Sequence, residues 1–272
     1  MAIVIESYAF VGIAPPAAHP EARVWLPPGY TLTGGGAFDL WQGFGNLLTA
    51  SYPIRQVEGA PYTGWAAAGK DHIESDPAPL AVYAIGIKIT NNGQPVSIQQ
   101  QVVSAKGPTA AHPKVTAHLP DEWIGTGGGA IDNYSGEGNM LTASYPVYTN
   151  GKVTGWTGMG KDHIQSDPST ITAFVIGIQV PDVTLDVDIV SVTGKTAAHP
   201  VASVSSPTGH TVVGGGAIDN YSGEGNMLTA TYPLISSSDG TLTGWSAAGK
   251  DHIKSDPSSI TVYVVTLEAV PV

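Results

Sequence analysis

The chain has 272 residues, a net charge of −11 and a hydrophobic content of 42%, so it is long and apolar enough to form a substantial core. Its 11 Lys and Arg residues are scattered, which argues against binding to nucleic acid or an anionic membrane, because both need a basic patch. The absence of Cys excludes disulfides and thiolate chemistry, and no stretch reaches the roughly 18 apolar residues of a membrane helix.

The first predicted element is a β-strand within MAIVIESYAFVGIAPP, at residues 1–16. This stretch has no basic residue before its apolar run and carries Glu6 inside it, which is atypical of a secretory signal. We therefore expect a soluble protein that is cytoplasmic as synthesised and does not itself insert into membranes. Later release to act outside the cell is compatible with this expectation.

Four landmark sequences then recur in the same order three times. They begin at the following positions: AAHP at 17, 110 and 197; GGGA at 34, 127 and 214; LTASYP or LTATYP at 48, 141 and 228; and KDH at 70, 161 and 250. Successive copies lie 87 to 93 residues apart, which is typical of tandem repeats. We predict three β repeats, at residues 1–90, 91–180 and 181–272.

The signals within each repeat are those of short strands and turns. YAIGIKI at 83–89, FVIGIQV at 174–180 and YVVTLEAV at 263–270 are β-branched and aromatic runs, and LDVDIVSV at 185–192 alternates. NGK at 150–152 and SDG at 238–240 are typical of hairpin turns. We expect five or six strands per repeat, roughly 15–18 in all.

The GGGA run needs its own explanation. A phosphate-binding loop would continue into a helix and a Lys-Ser/Thr pair, and the sequence has neither. We therefore predict a strand that lets another backbone approach closely, or that bends.

Three copies favour an all-β, pseudo-threefold, β-prism-like assembly. The alternative is three small β-sandwiches in a row. The lack of Pro/Ser-rich linkers between the repeats favours the compact arrangement.

A polar loop follows each GGGA run and supplies the first candidate binding residues. The sequence DNYSGEGN suits hydrogen bonding to a polyhydroxylated ligand, with one aromatic face for stacking. The first repeat has DLWQGFGN instead, so its pocket is altered. The candidates are Asp132, Asn133, Tyr134, Glu137 and Asn139, then Asp219, Asn220, Tyr221, Glu224 and Asn226, and in the first repeat Asp39, Trp41 and Asn46.

The KDH motif supplies further candidates, namely Asp71, His72, Asp162, His163, Asp251 and His252. These residues either stabilise a turn or, with the histidines of AAHP, line one pocket per repeat. No cofactor is expected, although imidazole and carboxylate groups leave calcium or another divalent metal open. No HxH or HExxH spacing indicates a transition-metal site.

An enzyme is not expected, because no GxSxG nucleophile motif is present. Multiplicity favours binding instead, since linked sites raise avidity by about 10²–10⁴.

A threefold β repeat with polar, Gly-rich loops and one aromatic residue per loop resembles lectins of the β-prism and trefoil kinds. The frame GGGA…LTASYP…GW is also similar to repeat modules of uncharacterised bacterial proteins. The resemblance implies multivalent binding to glycans, and a use in targeting a toxin to cells, because β-prism domains serve pore-forming toxins in that way. No lectin sugar motif is matched residue by residue, so no site residue is transferred.

We therefore expect a multivalent carbohydrate-binding protein with up to three related pockets, whose partners are glycans or glycoconjugates. A homo-oligomer is compatible with the sequence. The alternative is a non-catalytic structural or toxin-partner protein whose repeated motifs only define the fold.

Overall fold

The computed structural model describes residues 3–270, in which nineteen β-strands are joined by turns and there is no helix. The first segment of the chain contains β1 (Ile3–Ala17), β2 (Glu21–Trp25), β3 (Thr31–Asp39), β4 (Asn46–Ile54), β5 (Gly64–Asp71), β6 (Ala78–Asn91) and β7 (Gln94–Pro95). The second segment contains β8 (Gln99–Lys106), β9 (Lys114–His118), β10 (Ile124–Asn133), β11 (Asn139–Thr149), β12 (Lys152–Asp162) and β13 (Thr170–Gln179). The third segment contains β14 (Leu185–Thr193), β15 (Val201–Ser205), β16 (Thr211–Asp219), β17 (Asn226–Ile235), β18 (Leu242–Asp251) and β19 (Ile260–Ala269).

These elements confirm the all-β prediction. The runs that begin at Tyr83, Phe174 and Tyr263 lie in β6, β13 and β19, except for the last residue of the second and third runs, as their β-branched composition predicts. The predicted NGK turn joins β11 to β12 with positive φ at Asn150 and Gly151. The number of strands exceeds the expected range by one. The short strand β7, which pairs with the end of β6, has only two residues.

The strands form three antiparallel sheets, and each sheet joins two segments. The first sheet has the order β1-β6-β3-β17-β18-β15, with β7 beside β6; the second is β2-β5-β4-β10-β13-β8, and the third is β14-β19-β16-β11-β12-β9. In each sheet, three neighbouring strands come from one segment and the next three from another. Three separate sandwiches in a row would not share sheets in this way.

The joins between segments are short and depend on the last Gly of each GGGA run. β3 pairs with β17 through Ala37–Thr231 and Phe38–Ala230, and the other two joins contain two residue pairs each. A Cβ on the glycine at this join would lie closer than 3.0 Å to a backbone carbonyl oxygen of the other segment; these glycines are Gly36, Gly129 and Gly216. The prediction that GGGA permits close backbone approach is confirmed.

The middle Gly of each run makes room for a Trp. Trp65, Trp156 and Trp245 are fully buried, and a Cβ on the middle glycine of their own segment would overlap the indole ring. Each indole N–H donates to a hydroxyl group, for example Trp156 Nε1 to Ser144 Oγ at 2.8 Å. The three rings are therefore core residues, in which a polar N–H is satisfied without reaching solvent.

The first Gly of each run lies where the three segments meet. A Cβ on Gly34 would be 2.9 Å from Gly214 Cα, one on Gly127 would be 3.0 Å from Gly34 Cα, and one on Gly214 would be 3.1 Å from Gly127 Cα. A second cluster with one member per segment is apolar and fully buried, and consists of Leu47, Met140 and Met227. Equivalent residues of the three segments thus contact one another at the centre of the molecule. No helix able to cross a membrane occurs among residues 3–270.

Candidate functional site

The three polar loops predicted as binding loops connect β3 to β4, β10 to β11, and β16 to β17, at residues 39–46, 132–139 and 219–226. We call them the first, second and third polar loops. Each one packs against the KDH motif of a different segment: the first against residues 250–252, the second against 70–72 and the third against 161–163. Every loop is therefore a contact between segments.

A buried Lys supports each loop from the neighbouring segment. Lys161 donates to the carbonyl oxygens of Glu224 at 2.6 Å and Gly223 at 3.2 Å, and its Nζ lies 3.9 Å from the centre of the Tyr221 ring. Lys70 and Lys250 are placed in the same way, beneath the rings of Tyr134 at 4.3 Å and Trp41 at 4.1 Å. Burial lowers the pKa of all three ammonium groups, that of Lys250 to about 8. The aromatic residue of each loop therefore has one face occupied by a cation.

The KDH histidines converge with one member from each segment. Nε2 of His72 lies 2.7 Å from the carbonyl oxygen of His163, Nε2 of His163 lies 2.6 Å from that of His252, and Nε2 of His252 lies 2.6 Å from that of His72. The three ring centroids are 5.4 Å apart in every pair. All three side chains are buried, so in this conformation they contact one another's backbone and not a pocket.

The turn after each of these histidines has an unusual backbone. Ile73, Ile164 and Ile253 have φ values of 63°, 61° and 61°, which β-branched residues rarely adopt. The amide two residues after each His donates back to its carbonyl oxygen, at 2.7 Å for Glu74 on His72. This turn holds the His carbonyl oxygen towards the neighbouring imidazole.

The Asp and Asn that open and close each polar loop are buried. They are Asp39, Asp132, Asp219, Asn46, Asn139 and Asn226, with at most 4% of each exposed. The Asn amides donate to the carbonyl oxygens of the AAHP turns, as from Asn226 to Ala198 at 2.9 Å. Burial raises the pKa of Asp39 to about 8 and those of Asp132 and Asp219 to about 7. These residues fix the loop from inside the protein.

The carboxylates of the KDH motif are half-buried and also bind the protein itself. Asp71 accepts from the Asn46 amide at 2.9 Å and from the Asp76 backbone at 3.0 Å. Asp251 accepts from Asn226 at 2.9 Å. Asp162 accepts from the Asp167 backbone at 3.3 Å and lies 3.8 Å from Nε2 of His112. These carboxylates therefore lie between the buried residues that support the loops and the protein surface.

The loop residues that reach solvent are fewer. Glu137, Glu224, Asn133 and Asn220 are exposed, and the rings of Trp41, Tyr134 and Tyr221 are half-buried. Both Asn amides donate to Thr side chains of their own sheet, as from Asn220 to Thr261 at 3.0 Å. Of the predicted set, the two Glu residues and the three aromatic rings thus remain best placed for a ligand.

The AAHP histidines are exposed, and two of them contact the aromatic residue of a polar loop from the neighbouring segment. His199 makes an edge contact with Trp41 at 5.2 Å between ring centroids, and His112 does so with Tyr221 at 6.3 Å. A cleft of about 520 Å³ opens between the first polar loop and the third segment, and is lined by Gly43, Phe44, Ala198, His199, Lys250, Asp251, Ile253, Lys254 and Ser255. His199 therefore lies on the cleft wall, whereas the KDH histidines lie in the interior.

A cavity of about 580 Å³ lies elsewhere, between Tyr30, Tyr62 and Gln100. The Gln100 amide donates to the carbonyl oxygens of Leu32 and Tyr62, so this side chain is already bonded within the protein. We place the candidate site at the polar loops, because there charged and aromatic groups from two segments meet at solvent.

No protein-family model matches the chain, and a search of curated proteins finds no relative. The site is therefore interpreted from its own geometry.

Replacement of Lys161 by Met tests the support of the third loop. We expect Lys161→Met to lower the free energy of unfolding by about 1–3 kcal/mol, because two loop carbonyl oxygens lose a charged donor. Amide hydrogen exchange of residues 220–226 should accelerate, which mass spectrometry measures peptide by peptide.

The matched control is Lys152→Met, at an exposed position next to the β11–β12 turn. It should leave both quantities unchanged within error. Equal exchange in the third loop of the two variants would show that Lys161 does not hold it.

Proposed function

We propose that the chain is a multivalent carbohydrate-binding protein, built as a pseudo-threefold β-prism-like assembly with one related cleft at each polar loop. In this proposal a glycan stacks on the solvent side of the loop aromatic residue and bonds to the polar groups around it. The observation that carries the proposal is the open cleft that Phe44 and His199 line from two segments, with the Trp41 ring in edge contact with His199.

The pseudo-threefold part of the proposal is supported by residues that occur once per segment and contact one another. Gly34, Gly127 and Gly214 do so at their Cα atoms, and the KDH histidines do so through a cyclic set of contacts with three equal centroid distances. Each sheet also combines three strands of one segment with three of another. A cyclic arrangement of three equivalent parts accounts for all of these observations.

The binding part is supported by the chemistry of the cleft. The Lys ammonium beneath each ring fixes the aromatic plane without occupying its second face. Glu137 and Glu224 stand at the sequence position that Phe44 has in the first loop, and both are exposed. The second and third polar loops are therefore acidic at this position and suit hydroxyl donors, whereas the first loop is more apolar there.

A glycan array, run with and without EDTA, is the first test. The proposal expects binding that free sugar competes away. The glycan that binds most strongly on the array is then titrated by calorimetry into the unchanged protein and into the double variant Glu137→Gln/Glu224→Gln. We expect affinity to fall by about tenfold or more, because each change replaces a charge-assisted hydrogen bond with a neutral one.

The control variant is Glu58→Gln, at an exposed position outside the polar loops. It should bind as the unchanged protein does. An array without sugar-competable binding, or equal affinities for the two variants, would contradict the proposal.

A second candidate function is that of a non-catalytic structural or toxin-partner protein. The burial of the repeated Asp, Asn, Lys and His residues favours it, because these groups support the loops whether or not a glycan binds. Failure on a broad array would leave this candidate as the better one. A role in targeting a toxin would additionally require glycan-dependent binding to cells.

A further inference from the structure

We propose that His72, His163 and His252 together form a binding site for one divalent first-row transition-metal ion, held by three Nε2 atoms. Each segment provides one ligand, and the ion is a structural link among them. Nothing in the glycan proposal requires this site, so the two are tested separately.

The spacing of the rings fits such a site. One ring nitrogen from each His can be chosen so that all three lie within 4.8 Å of one another. With metal–nitrogen distances of about 2.1 Å and tetrahedral angles, the centroids of three imidazole ligands lie roughly 5.3 Å apart. The observed separation is 5.4 Å in each pair. Small side-chain movements therefore suffice to complete the ligand set.

The hydrogen bonds of the rings leave one nitrogen per His without a suitable partner. Nδ1 of His72, His163 and His252 lies 3.0, 2.8 and 2.9 Å from a polar-loop carbonyl oxygen, and each Nε2 also faces a carbonyl oxygen. A neutral imidazole has one N–H and one lone pair, so two acceptors cannot both be satisfied. All three rings are buried and their centroids are 5.4 Å apart, so three imidazolium cations would repel one another, which favours the neutral rings.

A metal ion resolves this conflict. Nδ1–H donates to the loop carbonyl oxygen, which is the outer contact that metal-bound His residues usually make. The inward Nε2 lone pair then binds the ion. Three neutral imidazoles without a thiolate favour Zn²⁺, Co²⁺ or Ni²⁺, whereas Ca²⁺ and Mg²⁺ prefer oxygen ligands.

The surrounding charges permit a further cation. The three Lys ammonium groups near the site each interact with carboxylates, such as Lys250 with Asp76 and Lys70 with Asp167. These carboxylates offset the positive charge of the ammonium groups. The strained turns at Ile73, Ile164 and Ile253 also hold the three histidines in place before an ion arrives.

The consequence is a link among all three sheets. His72 follows β5 of the second sheet, His163 follows β12 of the third and His252 follows β18 of the first. An ion bound by all three ties one strand end from each sheet. At an ion concentration one hundred times the dissociation constant, the melting temperature should rise by about 5 °C.

The decisive measurement uses the unchanged chain after treatment with a chelator. Zn²⁺ is added to the native protein and, separately, during refolding, because the site is buried. Long-range ¹H–¹⁵N spectra of the imidazoles should show the Nε2 signals of three of the eight His residues shifting with one ion per chain. Co²⁺ should give the visible absorption of a tri-imidazole complex. Absence of these shifts at millimolar Zn²⁺ in both preparations would overturn the proposal.

Variants then locate the ion. His163→Gln keeps an N–H donor but provides a poor ligand, and we expect metal affinity to fall at least about a hundredfold. His112→Gln, at an exposed histidine, should bind as the unchanged chain does. Full affinity in folded His163→Gln, or its loss in His112→Gln, would assign binding to surface histidines and contradict the proposal. If His163→Gln does not fold, the spectra of the unchanged chain still decide the question.

Discussion

We expect Gly36→Ala to remove about 3 kcal/mol or more of folding free energy, which is a large fraction of the stability of an ordinary protein. The added Cβ would lie closer than 3.0 Å to the carbonyl oxygen of Thr231 and 3.0 Å from the Cα of Tyr232. Both belong to β17, and Thr231 pairs with Ala37 in the ladder that joins the first and third segments. The clash is therefore with backbone atoms, which cannot move away without breaking the pairing of β3 with β17.

Urea denaturation followed by Trp fluorescence and circular dichroism measures the effect. The matched control is Gly240→Ala, where a Cβ would have no neighbour within 4 Å although φ is 76°. That change should cost about 1 kcal/mol through backbone strain alone. If the two variants were equally stable, the joins between segments would have to be looser than the structure describes.

The sequence predicts the strands of this protein well, because its β signals are local. The run FVIGIQV is β-branched and aromatic, and these residues lie in β13 or directly after it. The NGK turn and the close approach at GGGA follow from the backbone freedom of Gly and Asn. Such features depend on a few neighbouring residues, so one sequence suffices to infer them.

The pairing of strands between segments could not be predicted in the same way. Nothing local to Ala37 indicates that it pairs with Thr231, far along the chain. The loop–Lys contact is hidden for the same reason, since Lys161 supports the loop of another segment. The signal in the sequence is the Lys that opens the KDH motif in every repeat. Its role becomes clear only from the pairing of the segments in the structure.

The predicted site residues fall into two groups, one that reaches solvent and one that is buried. Tyr221 and Glu224 reach solvent as expected of ligand-binding residues, whereas Asp219 and Asn226 of the same loop are buried supports. Composition alone treats all four as hydrogen-bonding groups, because it carries no information on direction. The convergence of the histidines is hidden for a related reason, because HxH spacing places two ligands on one element, whereas His72, His163 and His252 come from three segments.

The buried loop carboxyls give a second large prediction, on pH. The pKa of Asp39 is raised from 3.8 to about 8 in the folded protein, with burial as the main cause. Asp39 Oδ2 and Asn46 Oδ1 also approach the same point above Gly69, and two acceptors so placed favour a protonated carboxyl. Because the pKa is higher in the folded protein than in the unfolded chain, the stability that protonated Asp39 contributes is fully present below pH 4. This contribution is lost as the pH rises to about 8.

We therefore expect Asp39→Asn to be more stable than the unchanged chain at pH 9, and the difference to shrink towards pH 4. Each pKa unit corresponds to about 1.4 kcal/mol, so the whole change is on the order of 5 kcal/mol. The Asn amide has the shape of the protonated carboxyl and an N–H to donate to Asn46, but it cannot ionise. Urea denaturation at several pH values gives the difference directly, and contributions from His163 cancel because both proteins contain it.

Asp132→Asn and Asp219→Asn should behave alike over a narrower range, since their pKa values are about 7. Asp121→Asn, at an exposed position, is the control and should give a difference that does not vary with pH. A flat difference curve for Asp39→Asn as well would mean that the carboxyl is ionised in the folded protein. In that case the nearby Lys250 would have to stabilise its charge, and Lys250→Met should then destabilise the chain most at high pH.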